Sequence, residues 1–139
     1  MDIIPYLHFS GNCAEAFAAY EKLMGGKVVM VSKYGDSPMA GQSPAEMKDK
    51  IMHISMQIGN TMLMGSDVPP NHYGKPQGMS VSVAVKTPAE ADRVFAGLAE
   101  GGTVTMPIAE TFWSPRFGMC TDRFGVPWMV NCQAAAASA

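Results

Sequence analysis

Three side chains in this sequence can exchange protons near neutral pH when their surroundings perturb them: His8, His53 and Glu110. In a metal-free enzyme of the lyase or isomerase type they would serve as general acid and base, provided that at least two of them converge in one pocket. The alternative is that each histidine is a hydrogen-bonded pocket or surface residue without a role in proton transfer. His72 lies in a Pro- and Gly-rich segment, where we expect it to be exposed.

Other residues are spaced to line a ligand pocket on one face of a sheet. Alternation along a strand places His53, Ser55 and Gln57 opposite a set of apolar side chains in segment 51–58. The same alternation places Ser80 and Ser82 together in segment 79–85. Such faces are either solvent-exposed or the lining of a cavity, and the small serines favour a cavity.

Aromatic residues and methionines would complete such a lining. Trp113 lies before a Ser-Pro turn, where its ring can cap the mouth of a pocket, and the sequence contains 13 methionines. Core packing or a subunit interface explains the same residues equally well, and Trp128 is open to both interpretations. The predicted ligand pocket consists of Tyr6, Ser55, Gln57, Met64, Ser80, Ser82, Trp113, Phe117, Met129 and Asn131.

The three cysteines, Cys13, Cys120 and Cys132, show no sign of reactivity. They are far apart, form no CxxC pair, and have no histidine in fixed register with them. We interpret them as packed thiols in a reducing, cytoplasmic setting.

The composition excludes several function classes. Apolar residues make up 47% and charged residues 16%, which is typical of a globular chain, and the net charge of −2 comes without a basic stripe, so we expect no nucleic-acid partner. No apolar run is long enough to span a bilayer, and the first residues do not resemble a secretory signal, so we expect no membrane partner. GxGxxG and GxxxxGK[ST] motifs are absent from the sequence, so we expect no nucleotide cofactor.

The elements that must position these residues occur twice. Residues 14–30 and 89–106 share Ala-Glu-Ala, a Gly-Gly pair and a following methionine at an offset of about 75 residues. Each copy predicts a helix that follows a strand (3–9 or 79–85) and ends at its glycines. Asn12 is the predicted cap of the first helix, and Thr87 with Glu90 forms a capping box for the second.

Three further strands are predicted after each helix. They lie at 27–34, 51–58 and 61–65, and then at 103–110, 115–121 and 127–132. Gly59-Asn60 predicts a tight hairpin, and Asp122 is expected to cap its own turn. The polar segment 35–49 is either a mobile flap or a short helix over 44–49.

Two motifs carry a family resemblance. The opening PYLHFSGNCAEAFAAYEKLMGG resembles the pattern PYLxFxGxxxEAxxFYxxxxGG, and ETFWSPRFGMCTDRFGVPWMVN at 110–131 supplies the second motif. Together they resemble the PhnB-like branch of the vicinal oxygen chelate superfamily, which contains glyoxalases, bleomycin-binding proteins and dioxygenases. The resemblance implies an α+β glyoxalase fold: two βαβββ modules forming a cupped, mostly antiparallel sheet with helices on the outer face.

The implied organisation is a single domain over 1–139. It has a first module at 1–66, a linker at 67–77, a second module at 78–133 and a disordered tail at 134–139. The resemblance also implies a homodimer. Some members of this branch are named ubiquinone-pathway methyltransferases, but nothing in the sequence resembles a nucleotide-like cofactor site for that reaction.

Metal-dependent members of the superfamily hold a divalent ion at four inward positions. Carried onto this sequence, the positions fall on Ile4, Met64, Ser80 and Met129. None of these supplies the carboxylate or imidazole donors that Mn, Ni, Zn or Fe(II) prefer, since a thioether suits Cu(I). We therefore expect no divalent metal or other cofactor, while a displaced site using His8 or His53 stays open.

The sequence therefore predicts a protein that binds a small apolar or aromatic molecule in a concave pocket without the usual metal. The acid–base enzyme described above is one alternative, and a non-catalytic dimeric structural module is another. The fold resemblance by itself does not select among these functions.

Overall fold

A computed structural model describes residues 1–38 and 40–134. The chain separates into two compact units, the first ending at Gly74 and the second beginning at Lys75. Of the predicted tail at 134–139, residues 135–139 lie outside the described part. Neither helix of the described chain has the length and apolar character needed to cross a membrane.

Each unit has the predicted β-α-β-β-β order. The first contains β1 (Tyr6–Phe9), α1 (Cys13–Met24), β2 (Lys27–Lys33), β3 (Ile51–Ile58) and β4 (Thr61–Asp67). The second contains β5 (Val81–Val85), α2 (Pro88–Ala99), β6 (Thr103–Ala109), β7 (Phe117–Thr121) and β8 (Pro127–Cys132).

Both units form a four-stranded sheet of the same topology. The strand orders are β1-β4-β3-β2 and β5-β8-β7-β6. The first strand pairs in parallel with the last strand of its unit, and the remaining pairs are antiparallel. The predicted hairpin is confirmed, because Ile58 pairs with Thr61 across Gly59-Asn60.

Three strand predictions began too early, and two of them matter for the site. β1 begins at Tyr6 rather than residue 3, and β5 begins at Val81 rather than residue 79, so Ile4 and Ser80 precede their strands. Pro5 has no N–H to donate to a ladder, and only its carbonyl pairs, accepting from the Met64 N–H.

Other boundaries differ by one or two residues, and β7 begins at Phe117 rather than residue 115. β4 extends beyond residue 65 to Asp67 because its parallel pairing with β1 continues as far as Phe9↔Asp67. The predicted helix at 44–49 is a 3₁₀ turn at Ala45–Met47, and further 3₁₀ turns lie at Tyr34–Asp36, Ala40–Gln42 and Pro70–His72.

The core of the first unit lies between α1 and one face of its sheet. Leu7 and Phe9 of β1 are buried, as are Phe17 and Tyr20 of α1, so the predicted apolar face of this helix is confirmed. Gly65 permits the close approach, since a Cβ there would lie 2.7 Å from a carbon of the Phe17 ring.

The second unit repeats this packing with different residues. The predicted apolar face of α2 is confirmed by the burial of Val94, Phe95 and Leu98. A Cβ on Gly118 of β7 would lie 2.8 Å from the Phe95 ring. Both sheets therefore use a glycine to accommodate an aromatic ring of their helix.

The two helices begin in different ways. Thr87 caps α2 as predicted, accepting from the Glu90 N–H at 3.1 Å. Asn12 occupies the predicted N-cap position of α1, but its side chain makes no capping hydrogen bond. The buried Asp67 carboxylate takes that role from the end of β4, accepting from the N–H groups of Gly11 and Cys13.

Candidate functional site

The candidate site is the face of the first sheet opposite α1. On β1, Tyr6 and His8 are exposed on this face while Leu7 and Phe9 are buried on the other, as the alternation predicted. On β3 the same face carries His53. The short strand β1 thus presents the aromatic side chains of Tyr6 and His8 on the side of the sheet away from the core.

The strand register arranges a row of side chains across this face. Tyr6 pairs with Met64, Met64 with Ser55, and Ser55 with Met30. Because neighbouring strands lie about 4.8 Å apart, this row spans about 14 Å, enough for one or two aromatic rings. Met30 is 55% exposed and Tyr6 42% exposed, whereas Ser55 is buried.

A chain of hydrogen bonds connects three side chains of this face. The Tyr6 hydroxyl lies 3.0 Å from His53 Nδ1, and His53 Nε2 lies 2.9 Å from Ser55 Oγ. Tyr6 and His53 reach each other across β4, which separates their strands. Both ring nitrogens of His53 are therefore hydrogen-bonded, which fixes the imidazole in one orientation.

Aromatic contacts surround this chain. His8 lies edge-on to Tyr6 with ring centroids 5.6 Å apart, and His53 stacks on Tyr6 at the same distance. The Tyr34 hydroxyl donates to the Asp67 carbonyl at 2.8 Å. Burial is the main cause that raises the pKa of Tyr34, and the charges of Tyr6 and Asp67 add to it, so the phenol stays protonated at neutral pH.

Met30 and Tyr34 were not among the site residues predicted from the sequence. A bulge between Val28 and Met30 interrupts the alternation of β2, so the period of two does not identify the side on which Met30 lies. Tyr34 follows that strand in a 3₁₀ turn and offers no periodic signal. Gln57, which was predicted, is exposed and donates to the Gly59 carbonyl.

A second group of predicted residues lies on the corresponding face of the second sheet. Ser82 pairs with Met129, and Asn131 pairs with Phe117. The Trp113 ring packs edge-on against Phe117 at 5.3 Å and remains half exposed. The strand register thus brings together four predicted residues, Ser82, Phe117, Met129 and Asn131, and Trp113 packs against Phe117.

Asn131 carries an unsatisfied acceptor. Its Oδ1 is buried and has no hydrogen-bond partner within the described residues. A buried amide oxygen without a partner is rare and costs free energy, so a ligand that donates a hydrogen bond would satisfy it.

The remaining predicted residues are placed differently. Glu110 belongs to the second unit, is exposed, and follows the end of β6. His8 and His53 belong to the first unit, where Tyr6 contacts both of them. Trp128 is a core residue, since it is buried and its Nε1 donates to Asp122 at 2.8 Å.

The cysteines have the character of packed thiols. Cys13, Cys120 and Cys132 are all buried and unpaired. Burial, assisted by Asp67, raises the pKa of Cys13 far above its usual range, and burial with Asp122 raises the pKa of Cys120 to about 11. Neither thiol has the depressed pKa of a nucleophile.

The residues at the four superfamily metal positions do not fit a hard divalent cation. Ile4 supplies no donor, Ser80 offers only a neutral hydroxyl, and Met64 and Met129 offer thioethers. Within the described part of the chain, no three His, Cys, Asp or Glu side chains are grouped so that they could hold a metal ion. The arrangement on the first sheet supplies hydrogen bonds and apolar contact instead.

Comparisons with known proteins agree with this architecture. A family model described as 3-demethylubiquinone-9 3-methyltransferase matches residues 1–131. Protein YjdN of Escherichia coli (strain K12) is 34% identical over 139 residues, covering 94% of this chain and 95% of YjdN.

Two solved structures are similar over nearly the whole chain. The crystal structure of protein PA1353 from Pseudomonas aeruginosa is 50% identical with a TM-score of 0.88, covering 96% of this chain and 98% of PA1353. A putative 3-demethylubiquinone-9 3-methyltransferase, PhnB protein, from Bacillus cereus is 27% identical with a TM-score of 0.77, covering 95% and 99% respectively.

Proposed function

Since this chain belongs to the 3-demethylubiquinone-9 3-methyltransferase family, the PhnB-like branch of the vicinal oxygen chelate superfamily with its glyoxalase fold, we propose that it binds a small aromatic molecule without a divalent metal. The binding surface is the face of the first sheet that carries Tyr6. One observation carries the proposal: an accessible phenol, held by His53, lies directly beside a methionine of the neighbouring strand.

The apolar body of the ligand would contact methionines and aromatic rings. Met64 is the direct neighbour of Tyr6, and Met30 lies farther along the same row. Thioethers are polarizable and pack favourably against aromatic rings. This surface favours a flat, unsaturated ligand over a highly charged one.

The polar contact would come from Tyr6. Its hydroxyl is held by His53, so it loses little conformational freedom when it also contacts a ligand oxygen. Because a phenol both donates and accepts, the ligand can present a carbonyl or a hydroxyl.

Methionine-methyl NMR tests the proposal at the residues concerned. A panel of small aromatic metabolites is screened by thermal shift, and hits are titrated into protein labelled at the methionine methyl groups. We expect Met30 and Met64 to shift, while Met56, buried on the α1 side of the same sheet, stays unchanged. Binding that shifts Met56 and leaves Met30 and Met64 unmoved contradicts this choice of face.

Acid–base catalysis of the lyase or isomerase type is a second candidate. It is favoured by the hydrogen-bond chain from Tyr6 through His53 to Ser55. Turnover that is lost in Tyr6→Phe, with the fold retained, would support it. Unchanged turnover in that variant would exclude Tyr6 as the catalytic group.

We also propose that the protein is a cytoplasmic homodimer. The unpaired, buried cysteines suit a reducing compartment. Val29 and Val31 of the edge strand β2 are more than half exposed, which suits an interface. A monomer in light scattering at micromolar concentration would contradict the dimer.

A further inference from the structure

We propose that the Tyr6 site binds an acidic phenol or enol as its oxyanion, with the ligand's proton passing through Tyr6 to His53. This inference rests on the proposed function, since it specifies the chemical class of the ligand at the same face. Tyr6, His53 and Ser55 would then accept a proton together, rather than only holding one another in place by two hydrogen bonds.

The first step of the argument is the position of the histidine in the middle of the chain. His53 Nδ1 lies 3.0 Å from the Tyr6 hydroxyl and its Nε2 lies 2.9 Å from Ser55 Oγ. One end of this chain is exposed at Tyr6, whereas Ser55 at the other end is 4% exposed. Tyr6 is therefore the end of the chain that a ligand on this face can reach.

The second step is the identity of the group at the buried end. A serine hydroxyl both donates and accepts, so it can accept from the Nε2–H or donate to Nε2, and His53 can adopt either neutral tautomer. When Nε2 carries the proton and donates to Ser55, Nδ1 is free to take up a second proton from Tyr6.

The third step is the balance of the transfer. The ligand O–H bond breaks and its proton bonds to the Tyr6 oxygen, while the original Tyr6 proton moves to His53 Nδ1. The ligand becomes an oxyanion, Tyr6 stays neutral, and His53 changes from imidazole to imidazolium. The ligand oxyanion then accepts a hydrogen bond from Tyr6, which accepts one from the imidazolium.

The pKa values that this transfer requires define the ligand class. The ligand hydroxyl must be acidic enough to give up its proton to an imidazole by way of Tyr6. Alcohols are far too weak as acids, whereas electron-poor phenols and stabilised enols qualify. The aromatic and thioether surroundings of Tyr6 fit the same unsaturated compounds.

The titratable and charged groups near His53 belong to β1, β2 and the turn that follows β2. His8 contacts Tyr6, and Tyr34 has a raised pKa to which Tyr6 contributes after burial. On β4 the neighbours on this face are Met64 and Ser66, whereas β2 places Ser32 against His53, Lys27 against Gln57 and Lys33 against Ile51. Among the described residues, no carboxylate is hydrogen-bonded to the imidazole.

The test uses 4-nitrophenol, whose phenolate has its own visible absorption band, and nitrobenzene as the matched ligand without a hydroxyl. Each is titrated into wild-type protein over pH 5–9 to obtain the affinity and the pKa of the bound phenol. We expect the pKa of bound nitrophenol to fall by about one unit, a tenfold increase in its acid dissociation constant. A pKa of bound nitrophenol at or above the free value overturns the inference.

Two variants and a control assign the effect to His53. His53→Gln keeps a side chain that can hydrogen-bond Tyr6 but cannot take up the proton, and Tyr6→Phe removes the entry point. Both are expected to abolish the pKa shift, whereas His72→Gln, the same change in an exposed 3₁₀ turn, should retain it in full. Retention of the shift in a folded His53→Gln protein would also overturn the inference.

A direct measurement keeps the test independent of the variants. The ring Cε1–Hε1 NMR signal of His53 should move to its imidazolium position when nitrophenol saturates wild-type protein at a pH where the free imidazole is neutral. An unmoved signal contradicts the transfer. If nitrobenzene binds with the same affinity as nitrophenol, binding as an oxyanion is refuted while the proposed function stands. If neither ligand binds, the proposed function is refuted.

Discussion

Asp67 offers the sharpest test of how the first unit is held together. Its side chain is 1% exposed and accepts three backbone hydrogen bonds, from Gly11 and Cys13 at 2.8 and 3.0 Å and from Ile51 at 2.9 Å. These bonds connect the end of β4 to the start of α1 and the start of β3. The carboxylate therefore also fixes the strands that carry Tyr6 and His53.

The substitution Asp67→Asn changes one acceptor oxygen into a donor. If the remaining oxygen keeps its bonds to Gly11 and Cys13, the new amide faces the Ile51 N–H, which is also a donor. A hydrogen bond to a charged group contributes about 1.5–3 kcal/mol, and an unsatisfied buried donor costs about 1–3 kcal/mol. Removal of the buried charge offsets part of this cost, so we expect the free energy of unfolding to fall by about 3 kcal/mol.

Urea unfolding followed by circular dichroism measures this change, and amide hydrogen exchange locates it. Exchange should accelerate at the Ile51 N–H, while Asp49→Asn, an exposed control, should stay within about 0.5 kcal/mol of wild type. The Tyr34 bond to the Asp67 main-chain carbonyl should survive. Wild-type stability of Asp67→Asn, with unchanged exchange at Ile51, would refute the assignment of Asp67 as the link between these elements.

Three further results are expected. Thr87→Ala should destabilise the protein by about 1 kcal/mol through loss of its cap, whereas Asn12→Ala should change stability by less than about 0.5 kcal/mol; equal effects in urea unfolding would contradict the difference in capping. Burial raises the pKa of Cys120 to about 11, against 9.0 for the ordinary thiol, so the free energy of unfolding should be constant below pH 9 and decline toward pH 11. A native thiol that reacts with iodoacetamide at pH 8 as fast as in urea would contradict this. Asn131→Leu should raise the melting temperature because it removes a buried, unsatisfied oxygen worth about 1–3 kcal/mol, and a lower melting temperature would show that Oδ1 is satisfied in solution.

Local patterns in the sequence were sufficient for much of the architecture. The internal repeat predicted the order of elements, and the 3.6-residue period identified the buried sides of both helices. Alternation placed Tyr6 and His8 opposite Leu7 and Phe9. These signals succeed because each depends on the geometry of one element and not on its neighbours.

Site predictions that required more than one element were less complete. The capping of α1 by Asp67 joins residues more than 50 positions apart, so no local rule could replace Asn12 as the predicted cap. The bulge in β2 concealed the orientation of Met30. Glu110 was the best carboxylate candidate, but spacing could not place it beside the two histidines, and it belongs to the other unit.

The sequence by itself determined the family, the two βαβββ repeats and the residue types at the superfamily's metal positions, because motifs, periodicity and side-chain chemistry are properties of the chain. Only the tertiary structure decided which of these residues meet. The bond between Tyr6 and His53 spans 47 positions and crosses an intervening strand, so it depends on strand order and register. That pairing turns three polar residues of two separate strands into a hydrogen-bonded unit able to accept a proton.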